Sequence, residues 1–180
     1  MKTAGGVSPE DLWKQIRYID NLNEPINGIQ ILKSSEVDIL QDGSLDYPDD
    51  LLKEFDYTIC SIHFRFALGK AKHTERIMRA MDNHYFNILR HATGRLLSKR
   101  PGYEVDMEKL ITHARQNGRF FAINSSPDRL DLSAENARAA VACGYQATDL
   151  HRRAQHPIAG ADLLRSRSSP PRRFREEVGA

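Results

Sequence analysis

The sequence predicts an α/β fold, either a parallel sheet or a β/α barrel, and three observations carry that expectation. Tyr57–Ile62, Tyr85–Leu89 and Phe120–Asn124 are short, apolar, β-rich runs, as internal parallel strands should be. Helical patterns at about 73–82 and 106–116 separate these runs. Strand and helix therefore alternate along the chain, which is the signature of βα units.

The elements can be justified in order. Ser8-Pro9-Glu10-Asp11 is a helix start, with a capping hydroxyl, proline at the first helical position and acids in the first turn. Leu12, Ile16, Ile19 and Leu22 recur at helical spacing, and Pro25 stops the helix. Ile29-Gln30-Ile31-Leu32 reads as a short buried strand. Val37-Asp38-Ile39-Leu40 alternates and runs into the turn signal Asp42-Gly43. The helix at 106–116 stops at Asn117-Gly118. Ser133 caps a further helix that runs to Cys143-Gly144. Beyond Gly144 no strand of comparable strength is written, although the βα rhythm predicts one.

The chain has 180 residues, 40% of them apolar and 28% charged, enough for one soluble core. The expected organisation is an α/β unit over 1–145 and a basic, disordered tail over 146–180. No stretch approaches the roughly 18 apolar residues of a membrane span, and Met1–Glu10 is too polar for a secretory signal. Cys60 and Cys143 are too few for a disulfide framework, so a cytoplasmic setting and no membrane partner are expected. Residues 151–180 hold seven Arg against three acids, or +4; the total is +2, so the preceding 150 residues sum to −2. General attraction to nucleic acid would therefore come from the tail.

Three polar residues follow strand patterns: Glu36, His63 and His91. The C-terminal edge of a β/α barrel gathers active sites, and imidazole with carboxylate suits Zn²⁺, Mn²⁺ or Fe. By spacing alone, a solitary His at a strand end is more often a hydrogen-bonded structural residue. Trp13 is read as core or rim, and Cys60 as a small buried hydrophobe. His73, His84 and His113 are read as solvent-exposed and without partners.

Longer motifs add a resemblance. Glu36-Val37-Asp38-Ile39-Leu40, Asp42 through Pro48, Ser61-Ile62-His63 and Arg65-Phe66 resemble the PHP phosphoesterase domain. His91-Ala92-Thr93-Gly94-Arg95-Leu96-Leu97, Asn124–Pro127 and Arg129-Leu130-Asp131-Leu132 are similar to segments of that domain in family X DNA polymerases, as is Ala4–Glu10. The likeness runs over about residues 3–145. It implies a partial, distorted (β/α) barrel lacking its first strands and its last, built around divalent metal ions. Mn²⁺ or Zn²⁺ is expected, with Mg²⁺ or Fe as alternatives. Glu36 would match a metal-bridging carboxylate, and His63 and His91 single-metal ligands; these three would be the catalytic set. Arg65 and Arg95 would hold phosphate, or else form salt bridges or a solvated face. The implied activity is metal-dependent 3′–5′ exonuclease chemistry on DNA ends in repair. Self-association through exposed sheet edges would be the other partner contact.

The pattern also fails in places. The family's upstream His-x-His and Asp-His ligands have no counterpart before the first helix. Ala122 stands for Glu, Ala92 for Pro, Phe64 for Ser, and Ser34-Ser35 for Gly-Ile. A closing Asp-x-His could be aligned with Asp149 and His151, but Tyr145–Thr148 supplies no strand. Asp149–His156 can be encoded GAT CTC CAC CGA CGC GCA CAG CAT. Read one base later, this DNA gives Ile-Ser-Thr-Asp-Ala-His-Ser, the family-type motif. A frameshift near 144–149 is therefore expected, with the tail as out-of-frame translation and the chain catalytically impaired. The competing readings are a non-catalytic vestigial or interaction module and a small-molecule phosphatase of histidinol-phosphatase type. Resequencing the locus is expected to reveal the displaced base; an intact frame shared by related strains would refute it.

Overall fold

The structure, a computed structural model, describes residues 6–144. The tail 146–180, Asp149 and His151 lie outside the described residues, as does the start of the Ala4–Glu10 segment. The element order is α1 (Pro9–Asn23), β1 (Ser34–Asp38), α2 (Asp49–Leu52), β2 (Tyr57–Ser61), α3 (Lys70–Asp82), β3 (Ile88–Leu89), α4 (Met107–Gln116), β4 (Phe120–Phe121) and α5 (Ala134–Ala142). The strands form one parallel sheet in the order β1-β2-β3-β4. Strands standing in chain order, joined by crossovers of one hand, keep their helices on one side of the sheet. Accordingly α3 packs on α4 and α4 on α5. This α/β arrangement is compatible with a partial barrel.

The register divides the sheet into two chemically different faces. Val37, Cys60, Leu89 and Phe121 are aligned across all four strands, and each is fully buried. They meet Ile77, Ala80 and Met81 of α3, Leu110, Ile111 and Ala114 of α4, and Ala140 of α5 in one core. Side chains alternate along a strand, so Glu36, Asp38 and Ser61 emerge on the opposite face. A second, smaller core joins Leu12 and Ile16 of α1 to Leu51 of α2, with Trp13 at its rim as expected.

The helix signals written in the sequence are realised. Ser8 Oγ accepts from Asp11 N, Asp106 from Lys109 N, and Ser133 Oγ from Asn136 N. α4 ends at Gln116 and is followed by Asn117-Gly118, with Gly118 at φ +63°. The strand signals need correction. Ile29–Leu32 is not a strand, and Ile29 is 68% exposed. The Asn23 side-chain amide accepts from Ile31 N at 2.8 Å and donates to Ile31 O at 2.9 Å, taking the groups a ladder would use. β1 therefore starts only at Ser34. β3 and β4 are shorter than expected, because Phe86 N turns back to Asn83 O and Asn124 leaves to pair with Asp131. α2 was not anticipated, being a single turn with no apolar periodicity to read.

His73 also departs from expectation. It is fully buried, stacked on the Tyr103 ring at 4.4 Å, with Nε2 3.2 Å from Phe66 O. Burial lowers its pKa, which keeps the ring neutral inside the core. His113 is paired too, with Asp82 at 2.7 Å; His84 stays exposed, edge-on to Tyr85.

One buried cation ties the loops after β1 and β2 to α3. Arg76 is 2% exposed. Its guanidinium donates to Leu40 O at 2.8 Å, Phe64 O at 3.2 Å and Ile39 O, and lies 4.9 Å over the Phe64 ring. Gly43 lets the β1 loop approach that helix: its φ is +91°, and a Cβ there would stand 2.6 Å from Arg79 Cβ and 2.9 Å from Arg76 O. Arg76→Met should lower unfolding free energy by about 3 kcal/mol, since buried carbonyls lose their donors. Urea denaturation checks this, and a loss below about 1 kcal/mol would contradict the role assigned to Arg76.

Candidate metal and phosphate site

Of the residues singled out by sequence, the polar face of the sheet brings Glu36 and His63 together, and not all of them lie at strand ends. Glu36 is the third residue of β1, and it is Asp38 that ends the strand. His63 and His91 each lie two residues beyond β2 and β3. The displacement of Glu36 follows from the late start of β1. Asp38 and Ser61 are register partners, and Arg90 extends the same line because its N–H donates to Cys60 O at 2.8 Å.

The side chains form a connected cluster around Glu36. Ser61 Oγ donates to Glu36 Oε1 at 2.8 Å and lies 3.3 Å from His63 Nε2. His63 Nε2 is itself 3.4 Å from Glu36 Oε1, while its Nδ1 is held at 2.5 Å by Asp38 Oδ1. Arg90 Nη1 donates to Glu36 Oε2 at 2.5 Å. Burial works to raise the Glu36 pKa, but hydrogen bonds from His63 and Ser61 and the charge of Arg90 hold it down at about 2. The His63 pKa is raised, chiefly by its hydrogen bond to Glu36, against the cost of burial and with help from Asp38.

His91 stands apart from this hydrogen-bonded cluster. It adopts φ +53° and is 5% exposed. Its carbonyl accepts from Gly94 N at 2.8 Å and Tyr103 Oη at 3.0 Å. Gly94 (φ +61°) meets the same ring so closely that a Cβ would be 2.5 Å from Tyr103 Cε1. Burial, then the charges of Arg129 and Arg90, push the His91 pKa down to about 4, so its imidazole is neutral near pH 7. His91 Nδ1 is buried and has no protein hydrogen-bond partner.

The two phosphate candidates are placed differently. Arg65 is exposed, at φ +60° in the loop after His63. The Arg95 guanidinium is turned onto backbone, donating to Arg129 O at 2.7 Å and to Leu130 O. It braces the 126–130 turn.

The donor chemistry of Glu36 and His63 fits a divalent ion. Metal-bound imidazoles usually give their other ring nitrogen to a carboxylate, which fixes tautomer and orientation. Asp38 does this for His63 Nδ1 and leaves Nε2 facing Glu36. Among the described residues, however, no three His, Cys, Asp or Glu side chains form a group that could hold a metal ion. Glu36 and His63 are brought together and His91 is not joined to them.

Asp38, Ser61 and Arg90 are the site residues that sequence reasoning missed. For two of them the signal was the strand period, Asp38 lying two residues after Glu36 and Ser61 two before His63; Arg90 carried no such signal. Asp38→Ala should weaken Mn²⁺ binding about 10- to 100-fold, measured by titration, through loss of the His63 support. Unchanged affinity would remove Asp38 from the site.

No family model matches the chain. It is 42% identical over 136 residues to the DNA polymerase/3′-5′ exonuclease PolX of Bacillus subtilis (strain 168), covering 76% of this chain and 24% of that protein. It is 35% identical over 116 residues to a probable phosphatase of Thermoanaerobacter sp. (strain X514), covering 61% of this chain and 45% of the relative. A probable phosphatase of Acetivibrio thermocellus is 30% identical over 105 residues, 57% of this chain and 41% of its own length. The chain thus spans about a quarter of the polymerase and under half of these phosphatases. Over three-quarters of its length the chain is thus similar to PolX, in line with the polymerase-family resemblance that its motifs predicted.

Proposed function

We propose that this chain is a PHP-type phosphoesterase unit of the polymerase-associated branch, acting on phosphodiesters at DNA 3′ ends. The observation that carries the reading is the Glu36–His63–Asp38 cluster on the polar face of a parallel sheet, in a chain similar to both an exonuclease-polymerase and phosphatases. Glu36 and His63 would hold the divalent ion, Mn²⁺ or Zn²⁺ before Mg²⁺ or Fe. When bound, such an ion supplies a more acidic water and screens phosphate oxygens.

The protein's own contributions are positional and electrostatic. Asp38 holds His63 with Nε2 toward Glu36, and Ser61 fixes one Glu36 oxygen. Glu36 remains ionised down to about pH 2, so it needs no deprotonation to meet a cation. His91, neutral near pH 7, stands outside the hydrogen-bonded Glu36–His63 pair. Arg65, exposed beside His63, can fork onto a phosphate, whereas Arg95 supports the neighbouring turn. Self-association through the edges of β1 and β4, the outer strands among the described residues, is part of the same proposal.

A second reading is non-catalytic, and one observation favours it: among the described residues no three ligands are gathered. Activity weakened relative to a complete site is the corresponding expectation. Elemental analysis for bound Mn or Zn, with a single-stranded DNA digestion assay in added Mn²⁺, separates the readings. The enzyme is expected to shorten DNA from its 3′ end, and Glu36→Gln to reduce this at least 100-fold. No metal and no digestion would leave the non-catalytic module.

A further inference from the structure

We propose that Arg90 is a tethered cation that competes with a divalent metal ion for Glu36, and so sets how tightly this face of the sheet holds metal. The inference rests on the reading of Glu36 and His63 as metal donors.

The backbone makes the competition unavoidable. Arg90 N–H donates to Cys60 O at 2.8 Å, which carries the β2–β3 register one step past Leu89. Arg90 is thereby set on the line of Asp38 and Ser61, and its side chain crosses β2 to reach Glu36. Glu36 Oε1 is taken by Ser61 at 2.8 Å and faces His63 Nε2 at 3.4 Å. The other oxygen, Oε2, receives Arg90 Nη1 at 2.5 Å. An ion that takes Glu36 must therefore displace a guanidinium or share a carboxylate with it, and two cations on one carboxylate repel.

The pair is also built to open. Its side chains are 34% and 33% exposed, so Arg90 can swing into water without leaving a buried charge behind. The contrast with Arg76 is instructive, since that guanidinium is buried and held by three carbonyls on α3-facing loops. Among the described residues the Arg90 side chain pairs with Glu36, and that partner is the candidate ligand. In the metal-free protein the guanidinium neutralises Glu36 beside Asp38. Once released, it would stand next to the ion with its fork free for a phosphate oxygen.

Mn²⁺ titration of the full chain, read by the electron-spin signal of free Mn²⁺, tests the competition. Arg90→Ala and Arg90→Gln are expected to tighten Mn²⁺ roughly three- to tenfold, and Glu36→Gln to abolish binding. Unchanged or weaker affinity in either folded Arg90 variant, or no Mn²⁺ binding by any of them, overturns the proposal. In the unaltered protein, Zn²⁺ titration should shift the Arg90 side-chain N–H resonance, and a resonance unmoved at saturation overturns it as well. Tighter Mn²⁺ without DNA digestion would sink the phosphoesterase reading alone. Digestion with unaltered affinity would sink this inference alone.

Discussion

A guanidinium without a carboxylate governs how this sheet presents its chemistry. Arg76 rises from α3 into a space closed to water and is satisfied by the carbonyls of Ile39, Leu40 and Phe64. Those carbonyls belong to the loops after β1 and β2, where extended backbone has just run out of ladder partners. One rigid fork thus supplies donors that two loops need at once. Because the loop after β2 contains His63, the position of that imidazole is tied to a helix on the far side of the sheet. Burial lowers the Arg76 pKa, yet the group starts so high that it stays charged, and its hydrogen bonds remain charge-assisted.

The same device recurs along the chain. Arg119 donates to Met81 O and Asn83 O, fastening the start of β4 to the end of α3. Arg115 reaches Cys143 O, Arg95 reaches the 129–130 carbonyls, and Arg100 reaches Gly94 O. Short strands such as β3 and β4 leave many carbonyls beyond the ladder, and long cations cover them from neighbouring elements. Arg90 departs from this habit by pairing with a carboxylate on the exposed face. Its counterparts stabilise loops, whereas Arg90 neutralises the group through which the site would bind a cation.

Periodicity made most of this architecture legible before any coordinates. Leu12 and Ile16, the capping Ser8 and Ser133, and the apolar run of β2 all carry signals that depend only on near neighbours. Ile29–Leu32 misled because its composition is β-like, while Asn23, eight residues from Ile31, claims its backbone. His73 misled because a helical His carries no mark of the Tyr103 ring that covers it from thirty positions away. In the site, Glu36 and His63 were legible by resemblance and are joined in the structure; Asp38 and Ser61 needed the register of β1 on β2. Arg90 could not be read at all, since its partner lies across an intervening strand.

The in-order arrangement of the strands has a temporal consequence. Each strand pairs with the one that emerges just before it, and each packed helix leans on its predecessor. Most long-range closures therefore span a single unit, so loops are closed cheaply and soon after synthesis. A growing chain can add units to an already seated edge as it leaves the ribosome. Polar groups on one side would then be aligned well before α5 has been made.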